Sequence, residues 1–145
     1  MPDKDILYGK IAIIQRCLQR IKEVTELNPA TLKNMDKQDI FVLNLQRAVQ
    51  AALDLAAHII ASSGLGLPKD LKELFRVLSS HGIISKELSS QLEHMAGFRN
   101  IAVHEYQSID TGILQQILQF HLKDLEDFYT AVVAYYHLNE DTDGK

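Results

Sequence analysis

Apolar residues recur along this chain at the three- and four-residue intervals of amphipathic helices, and no segment shows the alternation of a half-buried strand. From about Asp5 to Leu27 the stripe is Ile6, Leu7, Ile11, Ile14, Leu18, Ile21 and Val24, with Asp3 or Asp5 available to cap its start and Asn28-Pro29 to end it. A second and more apolar helix is predicted from roughly Lys37 to Ala61, with Phe41, Leu45, Ala48, Ala52, Leu55, Ala56 and Ile59 facing the core. After the connector at 62–68 a short third helix spans about Lys69 to Ser79, closed by His81-Gly82, and Ser85 caps a fourth. The fifth, near Asp110 to Leu138, is capped by Ser108 and makes apolar contacts through Ile113, Ile117, Phe120, Leu125, Phe128, Val132 and Tyr135. The expectation is an all-α, five-helix up-and-down bundle forming one domain over residues 1–138, followed by a disordered, mainly acidic tail at 139–145.

Two residues spoil the pattern of the fourth helix. Leu88, Leu92, Met95, Ala96, Ala102 and Val103 share one stripe, and Arg99 and Tyr106 fall in its middle. An unpaired guanidinium is costly to bury, so Arg99 must meet an anion, face a wet cleft or lie at an interface between chains. His104, five residues on, projects about 140° away around the same ideal cylinder. Either the helix ends or bends near His104, or another element or another copy of the chain completes the site. On the second helix Asn44, Arg47, Asp54 and His58 share a strip beside the core stripe. They are expected to form one wall of a cleft, against the alternative of a solvated edge.

Composition narrows the chemistry. The 145 residues are 46% hydrophobic and 23% charged with a net charge of −4, an ordinary globular balance. That sign is unhelpful to a nucleic-acid binder relying on bulk charge, so any RNA site must be a local basic cleft. The single Cys17 cannot form an intrachain disulfide, which fits a reducing cytoplasm; Met1-Pro2-Asp3-Lys4-Asp5 lacks the basic then apolar pattern of a signal peptide and no run of eighteen apolar residues occurs, so neither export nor a membrane span is expected. His58, His81, His94, His104, His121 and His137 show no paired metal-ligand spacing, so no metal and no cofactor are expected. The glycines of Ser62-Ser63-Gly64-Leu65-Gly66-Leu67-Pro68 lack the preceding strand and following Lys of a phosphate loop.

Arg99, polar Asn100, three apolar residues, His104, one residue and Tyr106 reproduce the signature of the HEPN domains. The preceding Met95-Ala96-Gly97-Phe98 resembles their HepT toxin branch. Five Arg, six His and five Tyr in 145 positions give the Arg-x4-His-x-Tyr spacing by chance on the order of 0.01 times. The likeness extends to Leu45 through Ile60, similar to that branch's second helix, and to Pro68 through Ile84, similar to its third helix and turn. The resemblance implies a HEPN-type helical homodimer, a ribonuclease toxin encoded beside an MntA-like nucleotidyltransferase antitoxin. It also implies that Tyr106 is the acceptor of adenylyl groups transferred by that partner.

The residues suit metal-independent RNA cleavage, in which the 2′-hydroxyl attacks the adjacent phosphorus. An imidazole titrating near neutrality is a fitting proton carrier, a guanidinium fork matches phosphate oxygens, and Asn100 can orient the histidine or the ribose. His104 and Arg99 are thus the candidate catalytic pair, with Asn100, Asn44, Arg47 and Asp54 supporting an RNA cleft. Two alternatives stand beside this. Arg99 pairs with a buried acid such as Asp54 while His104 caps a helix terminus, or the protein is a non-catalytic helical dimer that binds nucleotides or scaffolds a partner.

Overall fold

Each α-helix but the last begins on a side chain able to accept from the orphan N–H groups of a first turn. In the computed structural model, which describes residues 2–138, Asp3 rather than Asp5 caps α1 (Lys4–Thr25), accepting from the N–H groups of Asp5 and Ile6. Asn34 caps α2 (Met35–Ser63), Asp70 caps α3 (Leu71–Ser80) and Ser85 caps α4 (Lys86–His104). Asp110, not Ser108, caps α5 (Thr111–Gln116). A π-helical turn at Ile117–His121 continues α5 into α6 (Leu122–Tyr136), so the expected fifth helix is one rod with a wide turn inside it. The segment after Asn28-Pro29 is a 3₁₀ turn, Pro29–Lys33. Gly64 closes α2 with φ of 64°, a left-handed cap that glycine adopts without strain.

Helix α2 is the central rod and packs against α1, α3, α4 and α6. Its antiparallel course along α1 is marked where the start of α1 meets the last turns of α2. The Asp3 N–H donates to His58 Nε2 at 3.1 Å, and Lys10 pairs with Asp54 at 3.1 Å. Helix α6 runs back along α1, with Lys22 near Glu126 and the Tyr8 hydroxyl donating to the Leu138 carbonyl. Arg76 on α3 holds Glu93 on α4 at 2.8 Å. Every residue of the expected α2 core stripe is buried. So is Cys17, where burial pushes the thiol pKa up against the opposing pull of Arg47 and Arg16 and keeps the group inert.

The last rod departs from its expected face. Leu114, Ile117, Leu118, Leu122, Leu125, Phe128 and Val132 are buried, whereas Ile113, Phe120 and Tyr135 are exposed, Phe120 by 55%. A π turn adds one residue to a helical turn and so rotates the register by about 100°. A regular 3.6-residue projection therefore cannot carry one stripe through it. Phe128 packs its ring edge-on against Phe75, centroids 5.6 Å apart, at the meeting of α6 and α3. Phe128→Ala is expected to cost about 3 to 5 kcal/mol, the usual price of an emptied aromatic core site; a shift in the urea midpoint equivalent to under about 1 kcal/mol would show that the site collapses freely. Among the described residues no helix is long and apolar enough to cross a membrane. The tail expected to be disordered lies outside the described residues.

Candidate active site at the end of helix α4

Helix α4 stays helical through His104 and stops there. The Glu105 N–H still donates to the Ile101 carbonyl at 2.7 Å, after which the chain turns through Tyr106–Ser108 in a short 3₁₀ segment. No glycine or proline lies at this break. Leaving the helix gains contact for Tyr106, whose ring packs partly buried against the core.

Arg99 is half-buried, while Asn100 and His104 are exposed. None of the three forms a side-chain hydrogen bond or ion pair among the described residues. The internal pairing considered for Arg99 is not made, because Asp54 is occupied elsewhere: one carboxylate oxygen meets Lys10 and the other accepts from Gln50 at 2.8 Å. A guanidinium on an apolar stripe and an imidazole on the last turn are thus both left available to a ligand. Since the helix holds to His104, the two heads still diverge, and one copy of the chain does not converge them on a small substrate.

Tyr106 is placed more firmly. Its hydroxyl donates to Asp39 Oδ1 and lies 3.5 Å from Gln38 Oε1, both on the second turn of α2. Partial burial, the hydrogen bond and the Asp39 charge push the phenol pKa up to about 12. A pocket of about 290 Å³ opens beside it, lined by Asp39, Val42, Leu43, Gln46, Ala102, Val103 and Tyr106. Leu43 and Val103 are nearly half exposed there. Because the folded pKa lies above the ordinary 10, the stabilising effect of the neutral phenol is complete below pH 10 and is lost as pH rises towards 12. In the phenolate absorbance difference between the wild type and Tyr106→Phe, this phenol should ionise near pH 12, and Asp39→Ala should bring it back towards 10; ionisation near 10 in the wild type would mean that the bond to Asp39 does not persist in solution.

The α2 strip has another neighbour than the motif. Asn44, Arg47 and Asp54 line a groove of about 460 Å³ whose other side is Lys10, Ile13, Arg16 and Cys17 of α1. None of them lines the Tyr106 pocket. A helical projection identifies a face but not the element it meets, and here the strip meets α1 rather than α4. Asn44 is buried and donates one turn back to the Ile40 carbonyl. Arg47 and Arg16 form no ion pair among the described residues, so with Lys10 they make this groove locally basic in a protein of net charge −4. The expected wall is therefore one side of a locally basic groove between α1 and α2, with no residue of the motif in its lining.

The remaining polar groups are locally satisfied or dispersed. His58 accepts from the Asp3 N–H, His81 bonds the Val77 carbonyl and His121 meets Asp124 at 3.1 Å. Among the described residues no three His, Cys, Asp or Glu side chains gather as a metal-binding group. A larger cleft of about 660 Å³ between α3, α4 and α5, with Lys72, Arg76 and His94 in its wall, includes neither Arg99 nor His104. Asp39 and Gln38 went unnoticed in the sequence, where they read as ordinary polar positions in the first turns of α2.

A helical bundle that leaves an Arg, an Asn and a His near the end of one helix without partners among the described residues, beside an anchored Tyr, has the phosphate donor and proton carrier that a nuclease needs. The family model described as ribonuclease HepT-like matches residues 14–132, and the chain belongs to that family. It is 38% identical over 130 residues to the mRNA nuclease HepT of Shewanella oneidensis, covering 90% of this chain and 98% of that protein. It is 28% identical to the tRNA nuclease HepT of Aphanizomenon flos-aquae, covering 90% of this chain and 89% of the relative. Among solved structures, the tri-AMPylated Shewanella oneidensis HEPN toxin in complex with MNT antitoxin superimposes with a TM-score of 0.84 at 39% identity, covering 90% of this chain and 98% of that one.

Proposed function

We propose that this chain is the toxin of a toxin–antitoxin module: a metal-independent endoribonuclease, acting in the cytoplasm, whose activity a partner nucleotidyltransferase antitoxin silences by adenylylating Tyr106. The observation that carries the reading is the set of Arg99, Asn100 and His104 on the last turns of α4, unpartnered among the described residues, in a chain whose relatives are named RNA nucleases. A guanidinium half-buried on an apolar stripe is poorly suited to core packing, and an RNA phosphate gives it the anion that the described residues do not.

In the reaction, His104 takes the 2′-hydroxyl proton or supplies one to the departing 5′-oxygen, Arg99 holds the phosphate as charge grows on its oxygens, and Asn100 orients ribose or imidazole. The divergence of Arg99 and His104 on one helix supports a two-fold dimer in which two copies of the motif line one groove and share the acid and base roles. Arg16, Arg47 and Lys10, in the basic groove beyond, fit the path of the RNA backbone, with Asn44 and Asp54 shaping its floor.

The test is cleavage of RNA by the purified chain. Cutting should yield 2′,3′-cyclic phosphate and 5′-hydroxyl ends, persist in EDTA, weaken with added salt and spare DNA, which lacks the attacking hydroxyl. Activity that vanished on chelation and returned with magnesium would overturn the mechanism. A monomer by light scattering at micromolar concentration would overturn the shared site.

A further inference from the structure

Residues outside the motif decide how its tyrosine reacts. We infer that Asp39 is the proton acceptor that turns the Tyr106 hydroxyl into a nucleophile during nucleotidyl transfer, so that the acceptor protein supplies part of the chemistry of its own modification. This rests on the reading of Tyr106 as the adenylyl acceptor.

The geometry points to one carboxylate. The Tyr106 hydroxyl donates directly to Asp39 Oδ1, the contact a general base must make with the proton it removes. Gln38 holds the other side. Its amide nitrogen donates to the Leu32 carbonyl at 3.1 Å and to Thr111 Oγ1 at 3.3 Å, which turns its oxygen towards the phenol. Asp39 is exposed, so a proton it accepts passes on to water. The phenol needs such help, because burial and Asp39 push its pKa up to about 12. At neutral pH the phenol is therefore protonated, and the proton must leave as the attack occurs.

The step balances with a nucleoside triphosphate delivered by the nucleotidyltransferase. Tyr106 Oη forms a bond to the α-phosphorus, and the bond from that phosphorus to the bridging α–β oxygen breaks. Diphosphate departs with the electron pair, and the phenolic proton moves to Asp39 Oδ1. The pocket of about 290 Å³ lined by Asp39 and Tyr106 leaves the reacting pair open to a docked donor. Asp39 has no place in the proposed RNA cleavage, so the two activities separate.

The experiment follows mass gain of the intact protein on incubation with its cognate nucleotidyltransferase, ATP and magnesium, with RNA cleavage assayed in parallel. Asp39→Asn keeps a hydrogen-bond acceptor but cannot take up the proton at neutral pH. It should lower kcat for modification at least about a hundredfold, the usual contribution of a positioned base, with KM for the toxin unchanged and RNA cleavage intact. Asp39→Glu, which keeps the carboxylate, should recover most of the rate. Modification of Asp39→Asn at the wild-type rate overturns the proposal, as does a rise in KM alone, which would make Asp39 a docking residue. Tyr106→Phe separates the layers: if it still gains the adenylyl mass as fast as wild type, the acceptor reading itself fails, whatever Asp39 does.

Discussion

His104→Ala should leave a folded protein that has lost RNA cleavage by at least about a hundredfold, the scale set by one positioned acid or base. The argument is positional. His104 is the last residue of α4, its side chain is exposed, and it bonds to nothing among the described residues. Removing such a group costs under about 0.5 kcal/mol of stability. Arg99→Ala should lose activity to a similar degree for a different reason, since it removes the cation that steadies the phosphorane rather than a proton carrier. Its half-buried guanidinium meets no anion among the described residues, so the variant should be no less stable than wild type. Cleavage of a labelled RNA and the urea midpoint, measured on the same preparations, read both effects. A His104→Ala protein as active as wild type, or one that fails to fold, would return the motif to a structural role.

What the sequence made legible here was local. The start of α4 follows from Ser85, and the buried face of α2 follows from a 3.6-residue stripe that no bulge interrupts. Two features depended on packing instead. The π turn at Ile117–His121 rotates Phe120 into solvent, and no residue type in that segment announces it. The Asp39 to Tyr106 bond joins positions 67 apart and exists only because the chain leaves its helix at Glu105. The strip of Asn44, Arg47 and Asp54 shows the same limit from the other side, since its face was legible and its neighbour was not. In each case periodicity supplied a direction from the helix axis, and tertiary packing supplied what stands there.

Tyr106→Phe should produce a toxin that its partner no longer silences. Under the proposed function, adenylylation places a bulky nucleotide and a negative phosphodiester at Tyr106, two residues beyond His104, where both oppose entry of an RNA backbone. Phenylalanine keeps the ring and its packing against the core but offers no oxygen to modify. The lost hydrogen bond to Asp39 is near the surface and should cost about 1 kcal/mol, too little to unfold the chain. RNA cleavage by Tyr106→Phe alone should therefore match wild type within about twofold, because the phenol takes no part in the proposed proton transfers. In cells carrying both genes, growth should stop with the variant and continue with wild type, a contrast of several orders of magnitude in surviving colonies if silencing depends on this one oxygen. Combining it with His104→Ala should restore growth, which ties the toxicity to RNA cleavage rather than to misfolding. If the partner protects cells from Tyr106→Phe as well as from wild type, silencing works by occlusion of the site, and the covalent switch assigned to Tyr106 is wrong.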